Sequence, residues 1–104
     1  MDCCIVFVTV PKDEAKGLQE QLVREKHAAC ISKTAVESCY FWKGKMEKEE
    51  EYLLIIKTKA SLLDKLIARI EELHSYDTPE ILALPILKGS SAYLKWMDET
   101  LSSG

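Results

Sequence analysis

Several residue types and motifs are missing from this sequence, and each absence argues against a class of protein. The chain contains no asparagine and only two arginines. An acylphosphatase-like enzyme needs an arginine-rich phosphate loop and an asparagine that positions water, so that activity is not expected. The four cysteines never form a Cys-x-x-Cys pair, which excludes a zinc ribbon and a thioredoxin-like motif. The longest apolar runs, 3–8 and 53–56, are far shorter than the roughly 20 residues of a membrane span, so we predict no membrane partner.

The composition that remains is typical of one globular domain, which we expect to span residues 1–104. The chain is 47% hydrophobic and 30% charged, with a net charge of −3. This acidic balance argues against nucleic-acid binding, which relies on basic surfaces. The chain opens directly into an apolar run, without the basic stretch and cleavage site of a signal peptide, so we predict a cytoplasmic location. In that compartment cysteines stay reduced, and we expect free thiols at Cys3, Cys4, Cys30 and Cys39.

Hydrophobic periodicity and turn residues divide the chain into strands and helices. Apolar residues recur at helical spacing in some segments, while others are extended and rich in β-branched or aromatic residues. The predicted elements are strands over 3–10, 27–42, 46–58 and 80–86 and helices over 12–25, 62–73 and 92–101. Their order, β-α-β-β-α-β with a C-terminal helix, predicts an α+β, ferredoxin-like sandwich.

Individual residues place these elements relative to one another. The first strand is apolar at successive positions, which predicts a central strand, whereas Pro85 lacks an N–H and places the fourth strand at an edge. Gly44 should take a positive φ in a tight hairpin turn, and Ser61 should cap the second helix. Right-handed crossovers put both main helices on one face of the sheet. The third helix can cover only part of the other face, so we expect an oligomer partner to cover the rest.

An ordered series of motifs resembles the CutA family of divalent-cation tolerance proteins. The series is Ala28-Ala29-Cys30, Ser38-x-Tyr40-x-Trp42-x-Gly44, Glu51, Ile56-Lys57-Thr58, His74-x-Tyr76-x-x-Pro79-Glu80-Ile81, Pro85, Gly89 and Tyr93-Leu94-x-Trp96. It covers nearly the whole chain. The resemblance implies a ferredoxin-like subunit in a tight homotrimer whose sheets join edge to edge, as in the PII signalling proteins. It also implies a connection with copper and other divalent metals, and no established enzymatic activity.

The same resemblance implies metal ligands at His74 and Glu80. Imidazole and carboxylate suit Cu(II) or another divalent cation, but two ligands make a weak site, so a third must come from a neighbouring segment or subunit. A strand cysteine associated with metal binding in the family is replaced here by Val8. The alternative interpretation of these residues is structural, with His74 capping a helix end and Glu80 pairing with a lysine. We expect no cofactor to be required for folding.

Aromatic and charged residues of the motifs predict a second kind of site, a cleft between subunits. The predicted lining consists of Cys30, Tyr40, Trp42, Glu51, Lys57, Tyr76, Tyr93 and Trp96. This mixture suits a small anionic or zwitterionic ligand, although such aromatics also serve as ordinary core and interface residues. Two functions follow. The first is a non-enzymatic trimer in divalent-cation tolerance, and the alternative is a PII-like signalling or scaffold trimer that binds a small ligand or a partner protein.

Overall fold

The order of strands and helices expected from the sequence is the order found. A computed structural model describes residues 2–102. Its elements are β1 (Cys3–Pro11), α1 (Lys12–Arg24), β2 (Cys30–Trp42), β3 (Lys45–Lys59), α2 (Leu63–Leu73), β4 (Ile81–Pro85) and α3 (Ser91–Ser102). Among the described residues, none of the helices is long and apolar enough to cross a bilayer.

The four strands form one antiparallel sheet in the order β2-β3-β1-β4. The apolar β1 lies between β3 and β4, which confirms the prediction of a central strand. The fourth strand lies at an edge, as the missing N–H of Pro85 requires. This order, with two βα units returning to the same sheet, confirms the ferredoxin-like α+β fold.

One face of the sheet carries the main core. Alternate side chains of β1, among them Val6 and Val8, are fully buried because they point toward the helices. Leu22 of α1 and Leu66 and Ile70 of α2 cover them and are also fully buried. The stripe of apolar residues in each helix therefore faces the sheet, which explains why these segments are helical in this fold.

The opposite face of the sheet is only partly covered. Ile5 and Phe7 of β1 lie directly across from Leu84 and Leu82 of β4, and both leucines are exposed. Helix α3 packs at one end of this face, where its Met97 joins a small cluster of buried residues. The part of this face formed by β1 and β4 keeps an apolar surface in the single chain.

The β2–β3 hairpin extends beyond the other strands. Strand β1 pairs with β3 only over 51–59, so residues 45–50 pair with β2 alone. We call this two-stranded projection, residues 37–50, the arm; it helps to give the molecule a longest dimension of 45 Å. Its turn has positive φ at both Lys43 (52°) and Gly44 (80°), the geometry of the favoured two-residue hairpin turns. The predicted positive φ at Gly44 is confirmed.

The predicted cap of α2 is wrong. A short 3-10 turn occupies Ala60–Leu62, so Ser61 lies inside that turn and Leu62 holds the N-cap position of α2. No side-chain hydrogen bond caps either the 3-10 turn or α2. The chain therefore enters a 3-10 turn directly after β3, and the Ser61 hydroxyl does not accept a hydrogen bond from the first N–H groups of α2.

Candidate functional site

A cleft opens where the arm leaves the sheet. It has a volume of about 710 Å³ and is bounded by the arm, the end of β1 and the loop that follows α2. We call it the arm cleft. The residues that line it are Thr9, Ser38, Cys39, Tyr40, Trp42, Glu49, Glu51, Tyr76, Asp77, Thr78, Pro79 and Glu80.

A part-buried hydrogen bond joins the strand wall of the arm cleft to its loop wall. The Tyr76 hydroxyl donates to Glu51 Oε2 at 3.1 Å. Glu51 is only 3% exposed although it lies on a strand otherwise rich in solvated carboxylates. Burial raises the pKa of Tyr76 well above its ordinary value, and the bond to the Glu51 carboxylate raises it further. Tyr76 therefore stays a hydrogen-bond donor at physiological pH and holds the loop against β3.

His74 fixes the start of the same loop. Its Nε2 donates to the backbone oxygen of Thr9 at 2.8 Å, and its Nδ1 accepts the backbone N–H of Tyr76 at 3.1 Å. The acceptor at Thr9 and the donor at Tyr76 together place the ring proton on Nε2. Strand β4 pairs with β1 only as far as Val8, so no β4 residue lies opposite Thr9, and the imidazole supplies a partner there.

The geometry around His74 bears on the predicted metal ligands. Both ring nitrogens are engaged by backbone groups, and the ring is buried at 7% exposure, in contact with the Tyr76 ring at 4.8 Å. Glu80 lies at the exposed rim of the arm cleft. Within residues 2–102 no three His, Cys, Asp or Glu side chains converge as a metal site. The donor set of one chain in this conformation therefore does not fit a bound cation.

The charge of the arm cleft is uniformly negative. Glu49, Glu51, Asp77 and Glu80 line it, and no lysine or arginine is among its lining residues. The pKa of the Tyr40 hydroxyl is raised, first by burial and then by the neighbouring carboxylates. Such a lining repels anions, in contrast to the anionic or zwitterionic ligand expected from the sequence.

The predicted cleft residues separate into two groups in the single chain. Four of the eight predicted cleft residues line the arm cleft, Tyr40, Trp42, Glu51 and Tyr76, together with the predicted metal ligand Glu80. The others lie around the base of β2 and helix α3: Cys30, Lys57, Tyr93 and Trp96. Glu51 and Lys57 are six residues apart on one strand, a separation of about 20 Å.

Polar and aromatic contacts connect the second group. Lys57 Nζ lies 2.7 Å from Ser32 Oγ and 3.7 Å from Cys30 Sγ. The rings of Tyr93 and Trp96 are 5.4 Å apart, and burial, followed by the Cys30 thiol, raises the pKa of Tyr93. The lysine ammonium therefore has hydrogen-bond partners in its own chain, and the role of this group in a cleft between subunits stays a prediction. Cys30 is half-buried and, like the three other cysteines, is a free thiol.

Sequence reasoning missed several cleft residues that the hairpin register could have found. Counting outward from the two-residue turn pairs Trp42 with Lys45 and therefore Ser38 with Glu49. Side chains directly opposite on antiparallel strands share a face. Ser38 and Glu49 thus join Tyr40 and Trp42 on one face of the arm. Asp77 carried no such signal, because its place depends on the path of the loop after α2.

Fold and site together define a class: a ferredoxin-like subunit with an extended hairpin arm and an acidic, aromatic cleft at the base of that arm. The family model described as "CutA1 divalent ion tolerance protein" matches residues 4–100. The chain belongs to this family.

Named relatives agree with this assignment. The chain is 48% identical over 95 residues to "Protein CutA, chloroplastic" from Arabidopsis thaliana; the match covers 89% of this chain but only 52% of that protein, so the chain spans about half of its relative's length. The crystal structure of CutA1 from Oryza sativa superposes with a TM-score of 0.93 at 42% identity, covering 96% of this chain and 94% of that one. The periplasmic divalent cation tolerance protein CutA from Archaeoglobus fulgidus gives 0.93 at 33% identity, covering 95% and 98%.

These relatives overturn the expected location. Proteins from Arabidopsis thaliana and Oryza sativa are named chloroplastic, and the Archaeoglobus fulgidus protein is described as periplasmic. The prediction of a cytoplasmic protein is therefore wrong. It depended on how this sequence begins, and the names of these relatives contradict it.

Proposed function

We propose that this protein acts in tolerance to divalent cations, as a homotrimer and without catalysing a reaction. The match to the tolerance family over residues 4–100 is the observation that carries this proposal. The family is named for tolerance and not for a catalysed reaction. The arm cleft is consistent with a binding role, since the carboxylates that line it attract cations.

Growth under metal stress tests the tolerance role. A bacterial strain that lacks its own CutA protein is grown in graded Cu(II), Zn(II) and Co(II), with this chain expressed from a plasmid or with the empty vector. We expect the chain to restore growth at concentrations of at least one ion that arrest the vector control. Identical growth curves at every concentration of all three ions would contradict the proposal.

The homotrimer is supported by the apolar surface that the single chain leaves uncovered. Phe7, Leu82 and Leu84 form a contiguous apolar strip on the sheet face opposite the core, and both leucines are exposed. Exposed apolar patches of this kind favour association between subunits. Native mass spectrometry should report a species of about 35 kDa, three times the 11.8 kDa chain.

A charge placed on this strip gives a matched test of the interface. Leu84→Lys should shift the population toward monomer, whereas Ala68→Lys, on the exposed side of α2, should not. Both variants add the same charge, so net charge alone cannot explain a difference. A wild-type protein that is monomeric at micromolar concentration would refute the assembly.

We propose that any divalent-cation site that includes His74 and Glu80 is completed by ligands from a neighbouring subunit. This follows because the described residues of one chain supply no third ligand; ligation by His74 would also require its ring to exchange a backbone partner, the Thr9 oxygen or the Tyr76 N–H, for the cation. Titration calorimetry of the assembled protein with Cu(II) compares Glu80→Gln with Glu99→Gln, an exposed carboxylate on α3. Weaker binding only in Glu80→Gln supports the site, and equal binding in both variants and wild type removes Glu80 as a ligand.

A further inference from the structure

The hydrogen-bond ladder between β1 and β4 has one position that β4 does not reach. In an antiparallel pair, every second residue of each strand exchanges backbone hydrogen bonds with the residue opposite. The Ile86 N–H donates to the Cys3 oxygen at 3.0 Å, which fixes the hydrogen-bonded positions of this pair of strands. The same register makes Ile5–Leu84 and Phe7–Leu82 hydrogen-bonded pairs, and its next such position would pair Thr9 with Glu80. The observed pairing ends at Val8 and Ile81, one step before that position.

The ring of His74 occupies this position in place of Glu80. Its Nε2 donates to the Thr9 oxygen at 2.8 Å, so a side chain supplies the donor that the Glu80 N–H would supply in a longer β4. A ladder bond needs the donor nitrogen within about 2.7–3.2 Å of that same oxygen. The imidazole of His74 and a longer β4 therefore compete for the Thr9 oxygen.

Residues 74–80, which we call the strap, are tied to the sheet through two side chains. His74 bonds β1 at Thr9, and the Tyr76 hydroxyl bonds β3 at Glu51 Oε2 over 3.1 Å. The Tyr76 N–H also donates to His74 Nδ1 at 3.1 Å, which couples the two ties. The strap forms one wall of the arm cleft, so its position determines the shape of that cleft.

The rest of the strap has little packing that would resist a movement. Ser75, Asp77, Thr78 and Glu80 are exposed, and within the strap only His74 is buried. Segments with few buried contacts open at low free-energy cost, because little apolar surface is lost when they move. The position of the strap therefore depends mainly on the bonds made by His74 and Tyr76.

We propose that the strap is a two-position latch, in which the Thr9 oxygen accepts a hydrogen bond either from the His74 ring or from the Glu80 N–H. In the second position the Thr9 N–H donates to the Glu80 oxygen, since a hydrogen-bonded pair exchanges two bonds, and β4 is one residue longer. These two bonds offset only part of what His74 and Tyr76 lose, so the first position is the favoured one. The latch couples the length of β4 to the shape of the arm cleft, and it does not depend on the proposed cation site.

Assembly into a trimer does not by itself decide between the two positions. In a longer β4 the backbone groups of Glu80 would point toward β1, as those of Leu82 and Leu84 do. Pro85 lies at an alternate position, so the side of its backbone that lacks an N–H faces the outer edge of β4. A neighbouring subunit that pairs along the outer edge therefore does not compete for the bonds between Thr9 and Glu80.

Amide hydrogen exchange, measured residue by residue by NMR on the assembled and chelator-treated protein, tests the latch. His74→Phe removes the donor to Thr9, whereas the matched control His74→Gln keeps an N–H donor on a side chain of similar reach. We expect the Thr9 and Glu80 amides to exchange at least about fivefold more slowly in His74→Phe than in wild type, and at the wild-type rate in His74→Gln. A purely structural role of His74 predicts the opposite sign, because lower stability makes amides exchange faster.

Tyr76→Phe provides a second variant that leaves the buried His74 ring in place. It deletes only the hydroxyl bonded to Glu51, so it loosens the strap and should slow the same two amides by a smaller factor, about twofold. Thr9 and Glu80 amides that exchange in His74→Phe as fast as in wild type, or faster, would overturn the proposal, as would equal slowing in His74→Gln. If His74→Phe does not fold, the same criterion applied to Tyr76→Phe decides the question.

Discussion

Replacing His74 by phenylalanine separates a structural histidine from a metal ligand. Phenylalanine keeps an aromatic ring of similar size in the buried position but can neither donate to the Thr9 oxygen nor accept from the Tyr76 N–H. The phenylalanine ring can still contact the Tyr76 ring, as the His74 ring does at 4.8 Å. The substitution therefore removes two hydrogen bonds with little change in apolar volume, and we expect a clear loss of stability even without added metal.

The size of that loss follows from the two hydrogen bonds. Each contributes about 0.5–1.5 kcal/mol net, so their removal should lower the free energy of unfolding by about 1–3 kcal/mol. The two backbone partners lose the imidazole that satisfies them at a part-buried position, so the loss should fall within this range. The loop that carries Tyr76 should also loosen, which weakens its bond to Glu51.

Urea denaturation of metal-free protein, at one fixed protein concentration, measures this effect. His27→Phe is the matched control, because its ring makes a partly exposed contact with Glu25 at 3.3 Å and such pairs contribute less than about 1 kcal/mol. The reasoning is refuted if His74→Phe unfolds at the same urea concentration as wild type. Loss of Cu(II) binding without any loss of stability would instead identify His74 as a ligand.

Three further predictions concern stability. Thr58 is fully buried, and its hydroxyl donates at 2.7 Å to a backbone carbonyl. Thr58→Val should lower the free energy of unfolding, measured by urea denaturation, by about 1–3 kcal/mol. Thr34→Val, at an exposed sheet position, should leave that free energy almost unchanged. Arg69 bonds both oxygens of Glu25 and lowers the pKa of that carboxyl from 4.5 to about 2. The lowered pKa of Glu25 stabilises the fold above pH 4.5, and this contribution disappears as the pH falls toward 2. The difference in melting temperature between wild type and Arg69→Met should therefore shrink from pH 4.5 to pH 2. A constant difference would argue against a stabilising Arg69–Glu25 pair. Gly44→Val should destabilise the arm by about 1–2 kcal/mol through its φ of 80°, and Gly44→Asn, which tolerates that conformation, should cost less; equal costs would show that the turn is not the cause.

Much of the fold could be predicted from local patterns. The apolar run of β1, the helical spacing in α1 and α2 and the glycine of the arm turn each reflect interactions within a few residues, and they correctly predicted the elements. The edge position of β4 followed from Pro85 alone, because a missing N–H is a local property. The cap at Ser61 failed because the helix is preceded by a 3-10 turn over Ala60–Leu62, and helix ends are often 3-10 in geometry.

The candidate site was only partly predictable. Motif residues such as Tyr40, Trp42 and Tyr76 were selected from the sequence, and the structure brings them together in the arm cleft. The sequence also grouped Lys57 with them, which would have made the site suitable for anions. Because Lys57 lies about 20 Å from Glu51 along β3, the cleft of the single chain is purely acidic.

By itself, the sequence determined the order of elements, the central and edge strands and the family, because these depend on local periodicity and on motifs along the chain. The tertiary structure decided which side chains share a cavity, and it places His74 where its ring bonds backbone groups of β1 and of the loop after α2; metal ligation by His74 stays a prediction. Contacts between Thr9 and His74 span 65 residues. No local pattern encodes such a contact, since it exists only after the sheet has formed and β4 has stopped pairing at Val8.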